Sequence, residues 1–401
     1  MDRFLLHGDV WWVGAIDWNV RDFHGYDTPR GSTYNAYLIL DEKVALVDGC
    51  REGFGHEMLD RVRGCCHLRP VDYFVINHVE PDHSGEVPWL IKQLNPERIF
   101  CTKRAKDQLG LIFGVDLVES WNVQIVGTGD SLPLGRNTLR FLETPMVHWP
   151  DTMFTYVEGS KTLLPNDAFG QHLASSKRFA DEVDMNTVMF EASTYYANIL
   201  MPFASPIQKT IGKVLEMGLE IEAIGSSHGV AWRRPEDVKR IIDAYLRWSN
   251  FEAPERVCLV YDSMWHATER MTMAIADGVA QEGVECQVLK LGAAARSEAA
   301  HQILESRAFL VGTPTLNNQL FPTVGGFMTY IKGLRPKNRI AGAYGSYGWS
   351  GGAVKQIDAD LRALGLDVVD PLEVKFMPTA EQLEACAELG RLVARKVKDA
   401  G

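Results

Sequence analysis

Residues 77–85 read NHVEPDHSG and set His78, Glu80, Asp82 and His83 within six positions, directly after the apolar run YFVI. Imidazoles and carboxylates are the groups that converge on metal ions. A run that ends a strand delivers them on a loop, where side chains can meet at one point, and an extended chain would also bring 78, 80 and 82 to one side. A polar loop with hydrogen-bonded histidines would account for one such residue, but four so close together point to metal. Further ligands must come from later in the chain. His148 in TPMVHWPD, Asp167 in LLPNDAFG and His228 in GSSHGVAW each end an apolar run beside Gly, Pro or Ser. No C-x-x-C spacing occurs among the seven cysteines, so neither a thiolate-held metal module nor a disulfide framework is indicated. The cysteines are expected to be reduced and mainly buried.

A second group of residues could hold an organic cofactor. Behind the polar stretch RWSNFEAPE (247–255), strand-like runs at 257–261, 284–289, 308–312 and 340–344 alternate with helical patterns. LDVVD follows, then a last helix opened by a capping box of Thr379 and Gln382. This rhythm predicts a doubly wound parallel sheet, which binds ligands outside the carboxyl ends of its strands. Three loops fall there. The first is Ser263, Met264, Trp265, His266, Ala267 and Thr268, running into a helix whose free N–H groups suit a phosphate, although Ser and Thr also cap helices with no ligand. Thr313, Pro314, Thr315, Leu316, Asn317 and Asn318 form the second, and Ser346, Tyr347, Gly348, Trp349, Ser350 and Gly351 the third. A sheet of this kind resembles that of flavodoxins, which bind FMN at these strand ends; glycines would allow close backbone approach and aromatic rings could lie against the flavin, so FMN is the expected cofactor.

These loops need a scaffold. The first 250 residues contain many short strand-like runs interleaved with helical patterns such as GHEMLDRVRG, which predicts sheets covered by helices. With 401 residues the chain divides into two predicted domains, 1–250 and 254–401. A net charge of −11 argues against nucleic acid or an anionic membrane and favours small ligands or a small redox protein. No apolar stretch reaches the ~20 residues of a membrane span, and the N-terminus lacks a signal-peptide layout, so a cytoplasmic protein is expected.

The order H-x-E-x-D-H followed at long spacings by His, Asp and His resembles the metallo-β-lactamase fold. Glu80, where hydrolases of that fold carry a second histidine, makes the chain resemble the flavodiiron proteins, and the S-M-W-x-x-T form of the first flavin loop is similar to theirs, with His266 where free flavodoxins carry Gly. A hard anionic oxygen suits iron better than another imidazole would. The resemblance implies a metallo-β-lactamase-like αββα sandwich followed by a flavodoxin-like domain. It also implies that two non-haem irons are held by His78, Glu80 and His148 on one side and by Asp82, His83 and His228 on the other, with Asp167 bridging and Asp48 behind the metal loop. Two ferrous ions and one reduced FMN hold four electrons, enough to take O2 to water; the same centre could couple NO to N2O.

The resemblance further implies a head-to-tail homodimer, or a dimer of such dimers, which brings each flavin to the irons of another chain. It implies rubredoxin or a similar small carrier as donor, because the chain stops at Gly401 with no cysteine-rich segment of its own. His24 and Tyr26, in RDFHGYDTPRG, are candidates for tuning the choice between O2 and NO, and this loop resembles that of oxygen-reducing members. Two other readings compete. One is a zinc-dependent hydrolase with a flavodoxin-like appendage. The other is an electron-transfer flavoprotein with a vestigial metal domain, disfavoured because every ligand position is filled.

Overall fold

In a computed structural model describing residues 3–67 and 69–400, the runs YLIL, VALV and YFVI are the strands Tyr37–Leu40, Val44–Val47 and Tyr73–Ile76. They are neighbours in a seven-stranded sheet that runs from Phe4–His7 and Val10–Trp12 at one edge to Arg98–Cys101 and Val123–Ile125 at the other. Pairing is antiparallel as far as Val44–Val47 and parallel beyond it. The runs are continuously apolar because both faces are covered. Leu38, Leu46, Phe74 and Ile76 enter one core with Met58 and Val62 of the helix Gly55–Cys66 and Leu109 of the helix Lys103–Phe113. Ile39, Val47 and Val75 face the other way, into a core with Phe141, Met153 and Leu164. The edge hairpin Phe4–His7/Val10–Trp12 is missing from the predicted strands because the polar turn at Gly8 and Asp9 interrupts the apolar run.

Phe141, Met153 and Leu164 belong to a second sheet, in which Ser131–Pro133, Thr138–Glu143, Met153–Val157 and Thr162–Leu164 are antiparallel and Ala223–Ile224 joins parallel. On its outer side Phe154 and Leu163 share an apolar groove with Ile211 and Val214 of the helix Ala204–Glu216 and Val238 of the helix Pro235–Ser249. Helix, sheet, sheet and helix give the αββα sandwich implied by the sequence.

The later strands form a parallel sheet ordered Glu285–Lys290, Arg256–Tyr261, Ala308–Leu316, Ile340–Tyr347 and Asp367–Val368, the flavodoxin-like order. Leu372–Lys375 pairs beyond it with the second half of Ile340–Tyr347. The closing helix Ala380–Asp399 starts at the predicted capping box of Thr379 and Gln382. It packs against the helix Ala267–Gln281 so closely that a Cβ on Gly390 would stand 2.1 Å from the Ile275 carbonyl oxygen, and one on Gly278 2.0 Å from that of Ala387.

Two compact units result, one of Met1–Tyr195 with Phe203–Leu246, the other of Tyr196–Pro202 with Arg247–Gly401. The π-helical Tyr196–Leu200 joins the second unit, where Asn198 Nδ2 donates to the Ser297 carbonyl (3.2 Å) and Tyr330 donates its hydroxyl to Asn198 Oδ1 (2.6 Å). The first three residues of the predicted linker continue the helix Pro235–Ser249. All seven cysteines are free, six of them buried. Among the described residues no helix is long and apolar enough to cross a membrane.

Candidate functional site

His78, Glu80, His148 and Asp167 offer ligand atoms that lie mutually within 4.8 Å, and His83, Asp167 and His228 do the same. His78 and Glu80 follow Tyr73–Ile76 in extended chain. The chain does not stay extended: Pro81 opens a short helix, Pro81–Ser84, that carries Asp82 and His83. Asp82 therefore parts from 78 and 80, against the expectation from alternation, and joins the second cluster. Its Oδ2 lies 3.2 Å from His83 Nε2 and 3.1 Å from His228 Nε2. Asp167, past the strand Thr162–Leu164, divides its carboxylate between the clusters. Oδ2 lies 3.3 Å from His148 Nε2 and 3.6 Å from His78 Nε2; Oδ1 lies 3.1 Å from His83 Nε2 and 3.3 Å from His228 Nε2. Glu80 Oε2 completes the first half at 3.3 Å from His78 Nε2 and 3.4 Å from His148 Nε2.

These contacts are short, yet both oxygens of Asp82 and of Asp167, and Nε2 of His83, His148 and His228, are buried with no hydrogen-bond partner among the described residues. Lone pairs that converge on a common space without pairing match ligands around cations. The electrostatics agree. Burial lowers the imidazoles of His148 and His228, but the facing carboxylates outweigh it and carry them up to about 9 and about 10. Burial raises Glu80, and the facing histidines bring it down to about 2. Asp167, opposed by burial in the same way, is held well below the ordinary carboxylate range by His83, His148 and His228. The pocket as a whole demands positive charge.

Outer partners fix the rings. His78 Nδ1 donates to Asp151 Oδ2 at 2.9 Å, and the same oxygen accepts from the Val79 amide at 3.0 Å. His228 Nδ1 donates to the Thr33 carbonyl at 2.7 Å. Asp48 sits at φ 64°. Its two oxygens accept from the Asn77 amide (2.8 Å) and from Asn166 Nδ2 (3.3 Å), clamping the residues that precede His78 and Asp167.

His24 sits at φ 53° in the tight turn between Asp22–Phe23 and Tyr26–Asp27 and reaches the pocket, its Nε2 3.5 Å from Glu80 Oε1 and 3.7 Å from Asp82 Oδ2. Tyr26 is buried beside His172, with ring centroids 5.6 Å apart. Asp151, His172 and Tyr195 are pocket residues absent from the sequence-based candidates. Asp151 carries a usable signal, since it stands three residues after His148 in the same motif; His172 and Tyr195 lie in stretches without a ligand-type pattern.

In the second unit, a cleft of about 680 Å³ opens at the carboxyl ends of the parallel strands. Met264, Trp265 and Ala267 from the first predicted loop line it, with Pro314, Thr315, Leu316, Asn317 and Asn318 from the second and Ser346, Tyr347, Gly348, Trp349 and Ser350 from the third. Phe376 and Met377, just past Leu372–Lys375, add a wall that lies outside the three predicted loops. Ser263, His266, Thr268, Thr313 and Gly351 do not line it. His266 adopts φ 64°, the left-handed conformation that explains glycine at such a position, and its Nδ1 pairs with Glu269 Oε2 at 2.6 Å. The Thr268 hydroxyl is taken up by Ser346 Oγ at 2.9 Å. Ser263 Oγ and Thr315 Oγ1 are buried without partners among the described residues, and the helix Ala267–Gln281 has no side-chain cap on its first amides. Unpaired hydroxyl and amide groups near the exposed Trp265 and Trp349 fit a ligand with a phosphate and a flat ring.

A metallo-β-lactamase-like sandwich with a two-part cation pocket, continued by a flavodoxin-like sheet with a ring-sized cleft, defines a two-module metalloflavoprotein. A family described as Flavodoxin matches residues 259–390, and one described as ODP family beta lactamase matches 33–229. The chain is 44% identical to a nitric oxide reductase of Moorella thermoacetica, over 97% of this chain and 98% of that one. It is 39% identical to an anaerobic nitric oxide reductase flavorubredoxin of Escherichia coli, covering 98% of this chain and 82% of that protein. Its structure superposes on rubredoxin oxygen:oxidoreductase from the anaerobe Desulfovibrio gigas with a TM-score of 0.96 at 37% identity, over 100% and 99% of the two chains. For the flavodiiron protein of Giardia intestinalis the TM-score is 0.95 at 36% identity, over 100% and 98%. The chain belongs to the flavodiiron protein family and is an oxidoreductase.

Proposed function

We propose that this chain reduces O2 to water, couples NO to N2O, or does both, at a di-iron centre in the 1–250 domain, supplied with electrons by FMN in the 254–401 domain. The observation that carries the reading is Asp167, which turns one carboxylate oxygen to each half of the pocket, 3.3 Å from His148 on one side and 3.1 Å from His83 on the other. A residue so divided suits two ions sharing one ligand. His78, Glu80 and His148 would hold the first iron and Asp82, His83 and His228 the second. Glu80, a hard oxygen donor, favours iron over zinc, and family membership weighs against the zinc hydrolase reading.

When bound, two irons and FMN would supply electrons and Lewis acidity. The residues provide the rest. Asp151 and the Thr33 carbonyl hold the ring N–H groups of His78 and His228, so that each turns its other nitrogen inward. Buried neighbours keep bulk water out of the pocket, and His24 offers a polar atom to it. Thr315 and the first amides of Ala267–Gln281 would bind the flavin, with Trp265 and Trp349 against its ring. Rubredoxin or a similar small carrier is the proposed donor, in a cytoplasmic head-to-tail homodimer or a dimer of such dimers; likeness to a flavorubredoxin and to a rubredoxin oxygen:oxidoreductase supports the donor.

The test is metal and flavin analysis of the purified protein, with O2 and NO consumption measured side by side using reduced rubredoxin. The reading requires about two irons and one FMN per chain and turnover of at least one gas. Zinc in the pocket with no gas consumption would refute it.

A further inference from the structure

We propose that His172 is a positioning residue for gas reduction: together with Ser32 it fixes the tautomer and angle of His24, so that His24 presents Nε2–H to the space between the two halves of the pocket. The inference rests on the flavodiiron reading above.

The groups form one buried chain. Ser32 Oγ lies 2.8 Å from His172 Nδ1, and His172 Nε2 lies 3.3 Å from His24 Nδ1. His24 Nε2 then stands 3.5 Å from Glu80 Oε1 and 3.7 Å from Asp82 Oδ2, one carboxylate from each half. A neutral imidazole has one N–H and one lone pair, so the direction of any bond in the chain sets all the others. Were Ser32 to accept from His172, His172 would accept from His24 Nδ1–H, and the His24 Nε2 lone pair would face two carboxylate oxygens. In the opposite order Ser32 donates to His172 Nδ1, His172 Nε2–H donates to His24 Nδ1, and His24 Nε2–H faces those oxygens. Only this order makes every contact attractive. The Ser32 hydroxyl has one other acceptor among the described residues, the Thr33 carbonyl, at a longer 3.3 Å.

Packing confines the planes of the two rings, and the hydrogen bonds of the chain select which edge faces which partner. Phe23 stacks on His24 with centroids 4.2 Å apart and meets His172 edge-on at 5.0 Å. Tyr26 and Tyr195 lie 5.6 and 5.0 Å from His172. A donor held over both halves is placed to stabilise negative charge that develops on a diatomic molecule between them, and it needs no reorganisation to do so.

The test compares iron- and FMN-loaded parent, His172→Phe, His172→Gln, His24→Phe and the double variant His24→Phe/His172→Phe. With iron content at the parental level, His172→Phe should lower kcat about tenfold or more while KM for the gas moves far less. His172→Gln, whose amide N–H can stand in for Nε2–H, should recover much of the rate. The double variant should be no slower than His24→Phe, because His172 acts only through His24. In zinc-substituted, diamagnetic protein, 15N-histidine NMR should read His24 as Nε2–H in the parent and as a tautomer mixture in His172→Phe. Additive losses in the double variant, or a parental kcat with an unchanged His24 tautomer, would overturn the proposal. If His172→Phe fails to load iron, Ser32→Ala, which removes only the hydroxyl, carries the same kinetic and NMR criteria. A parent that turns over neither gas sinks the functional reading, while the NMR comparison still decides the role of His172.

Discussion

Asp151→Asn isolates the support of one half of the pocket. The side chain is buried, and its Oδ2 accepts two bonds, from His78 Nδ1 at 2.9 Å and the Val79 amide at 3.0 Å, while Oδ1 has no partner among the described residues. Asparagine has the same shape, and its carbonyl oxygen can take the place of Oδ2, with the amide nitrogen where the idle oxygen stood. Both bonds then persist, but without the charge. A hydrogen bond to a charged group contributes about 1.5–3 kcal/mol and a neutral one about 1 kcal/mol, so two weakened bonds come to about 1–4 kcal/mol. That agrees with the about 10- to 100-fold loss of metal affinity typical when an outer hydrogen-bond partner is changed. The loss should fall on the half built from His78, Glu80 and His148. Anaerobic Fe(II) titration against a competing chelator, with 57Fe Mössbauer spectra to distinguish the sites, measures it. A variant that keeps both irons at parental affinity would refute the argument that Asp151 holds His78 in its binding orientation.

Asp167→Asn should leave fewer than two irons per chain and no gas turnover with FMN still bound, as metal and flavin analysis would reveal; two irons and normal turnover would remove Asp167 from the bridge. Gly390→Ala should lower stability by about 1–3 kcal/mol, because its Cβ would stand 2.1 Å from the Ile275 carbonyl; urea unfolding reads this against Gly326→Ala, which meets nothing within 4 Å. Burial pushes Glu191 up to about 7 despite its 2.8 Å ion pair with Arg30. A carboxyl raised in the folded state favours folding below its ordinary 4.5 and loses that contribution as pH climbs through about 7. Thermal melts of Glu191→Gln should therefore gain on the parent across that window, and a constant offset would contradict the shift. Mixing His83→Ala/His228→Ala protein with Thr268→Ala/Gly348→Trp protein should restore part of the activity if electrons cross between chains; zero activity with subunit exchange verified by mass would exclude the head-to-tail arrangement.

Local spacing makes most of the pocket legible. His78, Glu80, Asp82 and His83 announce themselves because a strand end compresses four ligand residues into six positions, and the flavin loops because parallel strands place their carboxyl ends on one edge. What stays hidden depends on pairing across the fold. Ser32 and His172 are ordinary polar residues in sequence and acquire a role only when 140 positions of chain close to bring them 2.8 Å apart. Phe376 and Met377 follow a strand that adds to the second half of Ile340–Tyr347, a pairing no local pattern reports. The helix opening at Pro81 has a local signal, since proline favours the first helical position, and that turn is what carries Asp82 away from His78 and Glu80; alternation alone, which ignores the proline, groups the three together.

Asp48 bears on how the pocket would serve an ion that changes oxidation state. Its carboxylate fastens Asn77, at the end of a strand of the first sheet, and Asn166, beyond a strand of the second, while Asn77 also donates to the Leu164 carbonyl at 3.1 Å and accepts from the Thr155 hydroxyl at 2.7 Å. His78 and Asp167 are thus mounted on a truss spanning both sheets. The gap between the halves is then a property of the sandwich, like the spacing of two shelves, and does not relax to suit whichever ion charge is present. With irons held there, ligands so mounted would move little when an electron arrives or leaves, which would keep the reorganisation energy of each transfer small and let a modest driving force suffice for rapid refilling.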